Sequence, residues 1–176
     1  LLTGLKRLPD QIETLLNQPK EIKRLAKKYY KSKNFMFIGR GINYPSALEG
    51  ALKLKEISYI HATGYAAGEL KHGPIALVDE NVPIVCICTK SETYSKMISN
   101  IEEVKARKGR IIVVATQGDE SIKDVAEDII YVPETLEELS PILVAVPLQL
   151  LAYEIAILLK CNVDQPRNLA KSVTVE

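Results

Sequence analysis

Glu49, Lys53 and Glu56 have the types and the spacing to do acid–base work. On a helix, at roughly 100° per residue, the three fall within an arc of about 60°. Two carboxylates then bracket an ammonium on one face. Ala47, Leu48, Ala51, Leu52 and Leu54 are expected on the opposite, packing side. The pattern by itself has two readings. Glu at i with Lys at i+4 is a common salt-bridge ladder on a solvated helix. The same triad is also a charged wall that could hold a substrate and move its protons. Downstream, the run Gly68-Glu69-Leu70-Lys71-His72-Gly73-Pro74 reads as an exposed loop. A lone histidine there is either structural or a group that exchanges protons near neutrality. His61 is expected to be structural, at the end of the helix.

These groups need a scaffold, and the apolar runs supply one. Phe35-Met36-Phe37-Ile38 reads as a strand, followed at once by Gly39-Arg40-Gly41 and a helix whose first turn suits Pro45. Strand, glycine turn and helix are the opening of a parallel α/β unit, with the glycines letting backbone approach a ligand. The GxG match lacks a third glycine and is weak as a dinucleotide signature. Pro83–Cys88, Ile111–Ala115 and Ile129–Val132 are further continuous apolar runs, the pattern of strands buried on both faces. Helices are expected from about Ser91 to Arg107 and from Leu136 to Lys160, the latter kinked at Pro147 unless a neighbour accommodates it. Residues 9–31 read as one helix or two, with Pro9 at a first helical position. The order β-α-β-α-β-β-α predicts an α/β fold, an open and mainly parallel sheet flanked by helices on both faces. Residues 161–176 have no period and read as a polar tail, which is usually frayed.

Composition narrows the function classes. The 176 residues fit one domain, and 23 Lys+Arg against 22 Asp+Glu leave a net charge of +1, so nothing favours nucleic acid or an acidic membrane. Cys86, Cys88 and Cys161 are expected to be reduced, small core residues in a cytosolic protein. No His/Cys/Asp cluster has the spacing of metal ligands, and no cofactor is suggested. The window Ile142 to Leu159 is near the lower limit for a membrane span, but Pro147, Gln149 and Glu154 interrupt it. A core or interface helix is the better expectation. There is no signal-peptide pattern at the start, and the missing initial Met points to a piece of something longer.

Two long strings go further. EGALKLKEISYIHATGYAAGELKHGP, from Glu49, and VPLQLLAYEIAILLKCNVDQPRNLAKSVTVE, to Glu176, closely resemble the carboxyl end of the glucosamine-6-phosphate synthase (glutamine:fructose-6-phosphate amidotransferase) family. The likeness runs from about Phe35 to the end. Enzymes of that family join a glutaminase domain to two sugar-isomerase (SIS) domains, and this chain is similar to the second. The resemblance implies a three-layer SIS domain over 35–160, linker and N-terminal helices over 1–34, and an active-site lid over 161–176. It implies that Glu56 is the base moving a proton between C1 and C2 of the sugar, with Lys53 and Glu49 holding and polarising substrate and base. It makes His72 the ring-opening histidine, reaching the site of the neighbouring subunit in a homodimer. It makes Lys171 the tail lysine lying against the open-chain sugar, with a backbone contact from Ala170. Fructose 6-phosphate and glucosamine 6-phosphate are the implied substrate and product.

The departures carry information too. The family's Ser/Thr-rich glycine loop and its SQSGET-like loop, which hold the sugar phosphate, belong to the first SIS domain and neither string occurs here. Nor does the chain begin with the cysteine needed to hydrolyse glutamine. The implied partners are therefore the first SIS domain and the glutaminase domain of the same protein. Two alternatives stand beside this reading: a non-catalytic sugar-phosphate-binding module, and a dimerisation scaffold using the apolar helix Pro141 to Leu159.

Overall fold

The computed structural model describes residues 1–17 and 19–169. Five strands, β1 (Asn34–Gly39), β2 (His61–Ala66), β3 (Pro83–Cys88), β4 (Arg110–Thr116) and β5 (Asp128–Val132), form one sheet in the order β2-β1-β3-β4-β5. Every neighbouring pair is parallel. Along β1, Phe35 and Phe37 point into one core with Val85, Ile87, Ile112 and Val114. Met36 and Ile38 point into the other with Ile84, Cys86 and Val113. Burial on both faces is why these strands read as unbroken apolar runs.

Four helices cover the first face: α1 (Leu2–Leu16), α2 (Pro19–Tyr29), α3 (Asn43–Ser58) and α5 (Ser140–Leu158). The helix α4 (Tyr94–Lys105), with 3-10 turns at Ala67–His72 and Ser121–Asp124, covers the second. The expected three-layer α/β arrangement is present. α5 is long and apolar enough to cross a membrane by length and composition. Here its inner residues Leu143, Val144, Leu148, Leu151 and Ile155 are buried against the sheet and its neighbours, while Ile142, Tyr153 and Ile157 stay 43%, 44% and 46% exposed.

Several expectations need correction. β2 is a strand the sequence reading missed, and His61 opens it rather than ending the helix. α1 starts well before Pro9 and runs through it, and it is Pro19 that stands at a first helical position, in α2. α4 begins at Tyr94, without a side-chain cap from Ser91 or Thr93. α5 continues through Pro147, which is buried in its packed face. Cys86 and Cys88 are core residues, but Cys161 is only half-buried, its Sγ 3.9 Å from the Ser58 carbonyl oxygen.

Candidate active site

α3 packs through small residues. Ala47, Gly50, Ala51 and Leu54 are buried, and a Cβ at Gly50 would come within 2.9 Å of Leu148 in α5 and 3.0 Å of Phe37 in β1. A buried face built of Ala and Gly brings the helix axis close to the sheet. It also leaves Leu48 and Leu52 outside, 43% and 40% exposed, where packing had been expected. They flank the charged face instead of opposing it.

On that face the spacing does what a helix makes it do. The Lys53 Nζ donates to Glu56 Oε2 at 2.8 Å and lies 3.7 Å from Glu49 Oε1. The Lys53 and Glu56 side chains are 32% and 28% exposed, and Glu49 is 42% exposed. The Glu56 hydrogen bond, with a smaller contribution from Glu49, outweighs partial burial and holds the Lys53 ammonium above the ordinary lysine range. Lys53 is therefore a fixed positive charge at neutral pH. Glu56 receives the ammonium on Oε2, and among the described residues its Oε1 has no hydrogen-bond partner.

His72 sits elsewhere. It ends the 3-10 turn Ala67–His72 that follows β2, with a side chain 71% exposed. Its Nδ1 faces Glu69 Oε2 at 2.6 Å, and among the described residues Nε2 has no hydrogen-bond partner. Among the described residues, no hydrogen bond or ion pair joins it to Glu49, Lys53 or Glu56. The turn itself is well held. Ala67 and Leu70 are buried, and Lys71 pairs with Glu103 of α4 at 2.8 Å. Arg40, just past β1, lies against Gly68 and donates to Asn100 at 2.9 Å. Gly73, at φ +140, takes a backbone conformation only glycine adopts readily, and turns the chain into Pro74.

Open parallel sheets bind ligands beyond the carboxyl ends of the strands where strand order reverses, here between β1 and β3. In this crevice several polar groups are already engaged within the chain. The Asn43 and Tyr44 amides already donate to the Arg40 and Gly41 carbonyls at 3.0 and 3.1 Å, and Pro45 has no N–H. The Asn43 amide group bonds Thr89 Oγ1 at 2.9 Å, Ser91 and Thr93 hydroxyls pair with each other at 3.3 Å, and Ser46 is buried.

Ala170 and Lys171 lie outside the described residues. The chain leading to them is described as far as Leu169 and returns to α3, where Arg167 meets Tyr59. Sequence reading missed this contact, and also Glu69 as the partner of His72. The second was findable, since Glu69 and His72 stand at i and i+3 within one motif. The first had no local signal.

The SIS domain family profile matches residues 28–159. Over its 176 residues the chain is 57% identical to the glutamine–fructose-6-phosphate aminotransferase (isomerizing) of Thermus thermophilus, covering all of this chain and 29% of that protein. It is 56% identical to the protein of the same name from Aquifex aeolicus, covering 30% of it. Among solved structures it is similar to the C-terminal domain of glucosamine-fructose-6-phosphate aminotransferase from Francisella tularensis, with 39% identity and a TM-score of 0.84 over 92% of this chain and 45% of that one. The chain thus spans under a third of the length of the two full relatives. Matched by the profile over most of its length, and folded around the parallel sheet described above, the chain belongs to the SIS domain family.

Proposed function

We propose that this chain is the second sugar-isomerase half of a glucosamine-6-phosphate synthase, and that it supplies the acid–base groups of the isomerase site. The observation that carries the reading is the half-buried Lys53–Glu56 pair, a carboxylate with one oxygen unpartnered among the described residues, held beside a fixed positive charge. Similarity along the whole chain to aminotransferases of that name supports it.

The chemistry is a proton shift. Ammonia adds at the C2 carbonyl of open-chain fructose 6-phosphate and water leaves, giving an imine. Glu56 takes a proton from C1 as the imine nitrogen gains one, which yields an enolamine. Protonation at C2, with loss of the C1 hydroxyl proton, gives the aldehyde of glucosamine 6-phosphate. Charge that develops next to the base is stabilised by Lys53. Lys171 is assigned to the oxygen-bound protons, Ala170 to a backbone contact, and His72 to ring opening in the neighbouring subunit of a homodimer. The phosphate is held outside this chain, by the first SIS domain, in keeping with the internal engagement of the Asn43 and Tyr44 amides and the Asn43 side chain between β1 and β3. Reduced cysteines and soluble metabolites suit a cytoplasmic protein. The exposed apolar residues of α5 favour an interface role as well, but a scaffold alone has no use for Glu56 and His72 together.

The test is conversion of fructose 6-phosphate to an aldose phosphate by this chain, alone and mixed with the first SIS domain. Silence alone and activity in the mixture are expected, together with loss of that activity in Glu56→Gln and an unchanged far-UV spectrum. Near-normal turnover in Glu56→Gln removes Glu56 from the base role. Silence in the mixture, with the halves shown to associate, leaves the scaffold reading.

A further inference from the structure

The segment Ala67–His72 is a 3-10 turn, and three residues per turn sort its six side chains into three eclipsed pairs. Ala67 and Leu70 form one pair, buried in the core on the second face of the sheet. Gly68 and Lys71 form the next, turned to α4 and the end of β1. A Cβ at Gly68 would stand 3.2 Å from Arg40 Nη1, and that nitrogen donates to the buried Asn100 of α4 at 2.9 Å. Lys71 meets Glu103 of the same helix at 2.8 Å. Glu69 and His72 are the third pair, and both side chains are left exposed. Two faces of the turn are therefore locked, and the third presents a carboxylate stacked on an imidazole, with Glu69 Oε2 2.6 Å from His72 Nδ1. In an α-helix the same two positions would be offset by about 60° around the axis.

We infer that Glu69 is a positioning residue for His72, holding the imidazole with its proton on Nδ1 and its lone pair on Nε2, turned outward to the sugar. The inference rests on the ring-opening role given above to His72. An ionised carboxylate only accepts, so the ring nitrogen that faces it carries the proton. The neutral ring then keeps its lone pair on Nε2, which has no hydrogen-bond partner among the described residues. Opening a furanose needs such a group. The C2–O5 bond breaks with its electron pair staying on O5, C2 becomes a carbonyl, and one proton passes from the anomeric hydroxyl to O5. Nε2 takes that proton and returns it, so the histidine ends as it began. While the ring holds the proton it is a cation, and the Glu69 carboxylate already faces that charge. The pairs packed on the core and on α4 keep the turn from rotating, so the two exposed side chains share one fixed base.

The experiment uses the full-length protein with Glu69→Ala, Glu69→Gln, His72→Ala and the double variant Glu69→Ala/His72→Ala. Two substrates are compared: fructose 6-phosphate, and 5-deoxyfructose 6-phosphate, which lacks the hydroxyl that closes the furanose ring. A positioned proton-transfer group contributes about 10²–10⁴-fold, and Glu69→Ala is expected to forfeit about tenfold or more of it in kcat on fructose 6-phosphate. The KM should stay near its original value, because the phosphate is held elsewhere. The melting temperature should hold, because an exposed pair adds little stability. On the open-chain analogue the loss should be much smaller. With the histidine nitrogens isotope-labelled, and His72 assigned by its absence from His72→Ala, magnetic resonance should find the ring proton on Nδ1. In Glu69→Ala that proton should be divided between the two nitrogens. Glu69→Gln, which keeps an acceptor and loses the charge, should fall between, and the double variant should be no slower than His72→Ala. Unchanged turnover in Glu69→Ala beside a slow His72→Ala overturns the inference, as does an equal loss on both substrates or an unmoved Nδ1 proton. If His72→Ala itself turns over normally, the ring-opening role fails; a moved proton in Glu69→Ala still upholds the positioning of the imidazole, and an unmoved one overturns it.

Discussion

A carboxylate beside an ammonium occurs at both Glu56 and Asp128, and burial separates the two. The Asp128 side chain is 3% exposed and is shared by the Arg24 guanidinium, the Lys28 ammonium at 2.6 Å and the Tyr29 hydroxyl at 2.6 Å. Neither of its oxygens is left over, so it ties α2 to β5 and has nothing to offer a ligand. Burial alone would raise its carboxyl, but the bonds from Lys28, Tyr29 and Arg24 outweigh this and hold it below the usual carboxylate range. The sign of the pH effect follows. The folded value lies under the unfolded one of about 3.9, so the stabilisation is present above about pH 4 and is lost as pH falls through the folded value. Denaturant midpoints measured from pH 7 down to 3 should drop across that window, and Asp128→Asn should flatten the drop while starting from a lower midpoint. Tyr29 is fully buried, so Tyr29→Phe at pH 7 removes a hydrogen bond to a charged group and should cost about 1.5–3 kcal/mol. An unchanged midpoint would show that Lys28 and Arg24 satisfy Asp128 without the phenol.

Between elements, the close approach of α3 to the sheet explains both what was legible in the sequence and what was not. Strands β1, β3, β4 and β5 are continuous apolar runs, and their burial on two faces made them readable. β2 is His-Ala-Thr-Gly-Tyr-Ala, an edge strand with no such run, because α3 lies directly on it. A Cβ at Gly64 would stand 2.9 Å from the Leu48 Cα and 3.0 Å from the Ala47 carbonyl oxygen. The small residues that hid the strand are the ones the packing demands. Lys53 and Glu56 were legible because helical spacing is local, and Leu48 and Leu52 were misplaced because the wheel did not show which face was built of Ala and Gly. The Tyr59–Arg167 contact joins positions far apart and leaves no local pattern. Gly64 and Gly50 now make a comparison. Gly64→Ala meets backbone that cannot rotate away, so overpacking of about 1–3 kcal/mol should exceed the gain from a stiffer unfolded chain, at most about 1 kcal/mol. Gly50→Ala meets the end of the Leu148 side chain and the Phe37 ring, and gains about 1 kcal/mol of helix propensity. Thermal melts should rank Gly64→Ala clearly below Gly50→Ala. The reverse order would mean that β2 shifts to make room.

For the whole molecule, the placement of His72 sets the strongest constraint. The turn that carries it is pinned by Leu70, Arg40 and Lys71, yet its ring is turned to solvent and, among the described residues, makes no bond to the Glu56 face. A pinned turn with an exposed histidine suits the proposed delivery of His72 to another subunit. If the proposed dimer holds, Glu56 and His72 of one site come from different chains, and the dependence can be counted. Full-length Glu56→Gln and His72→Ala proteins should each be nearly inactive. Mixed, dissociated and reassociated, they should form mixed dimers in about half the cases by random pairing of a two-fold assembly. Each mixed dimer holds one site with both groups intact and one with neither, so activity should return to about a quarter of the original. Were His72 to serve its own chain, a mixed dimer would contain no complete site and mixing would restore nothing. Native mass spectrometry of the same mixture, with one variant isotope-labelled, distinguishes that outcome from failure to exchange: mixed dimers without recovery would place His72 in its own subunit, and mixed dimers with a quarter of the activity would place it across the interface.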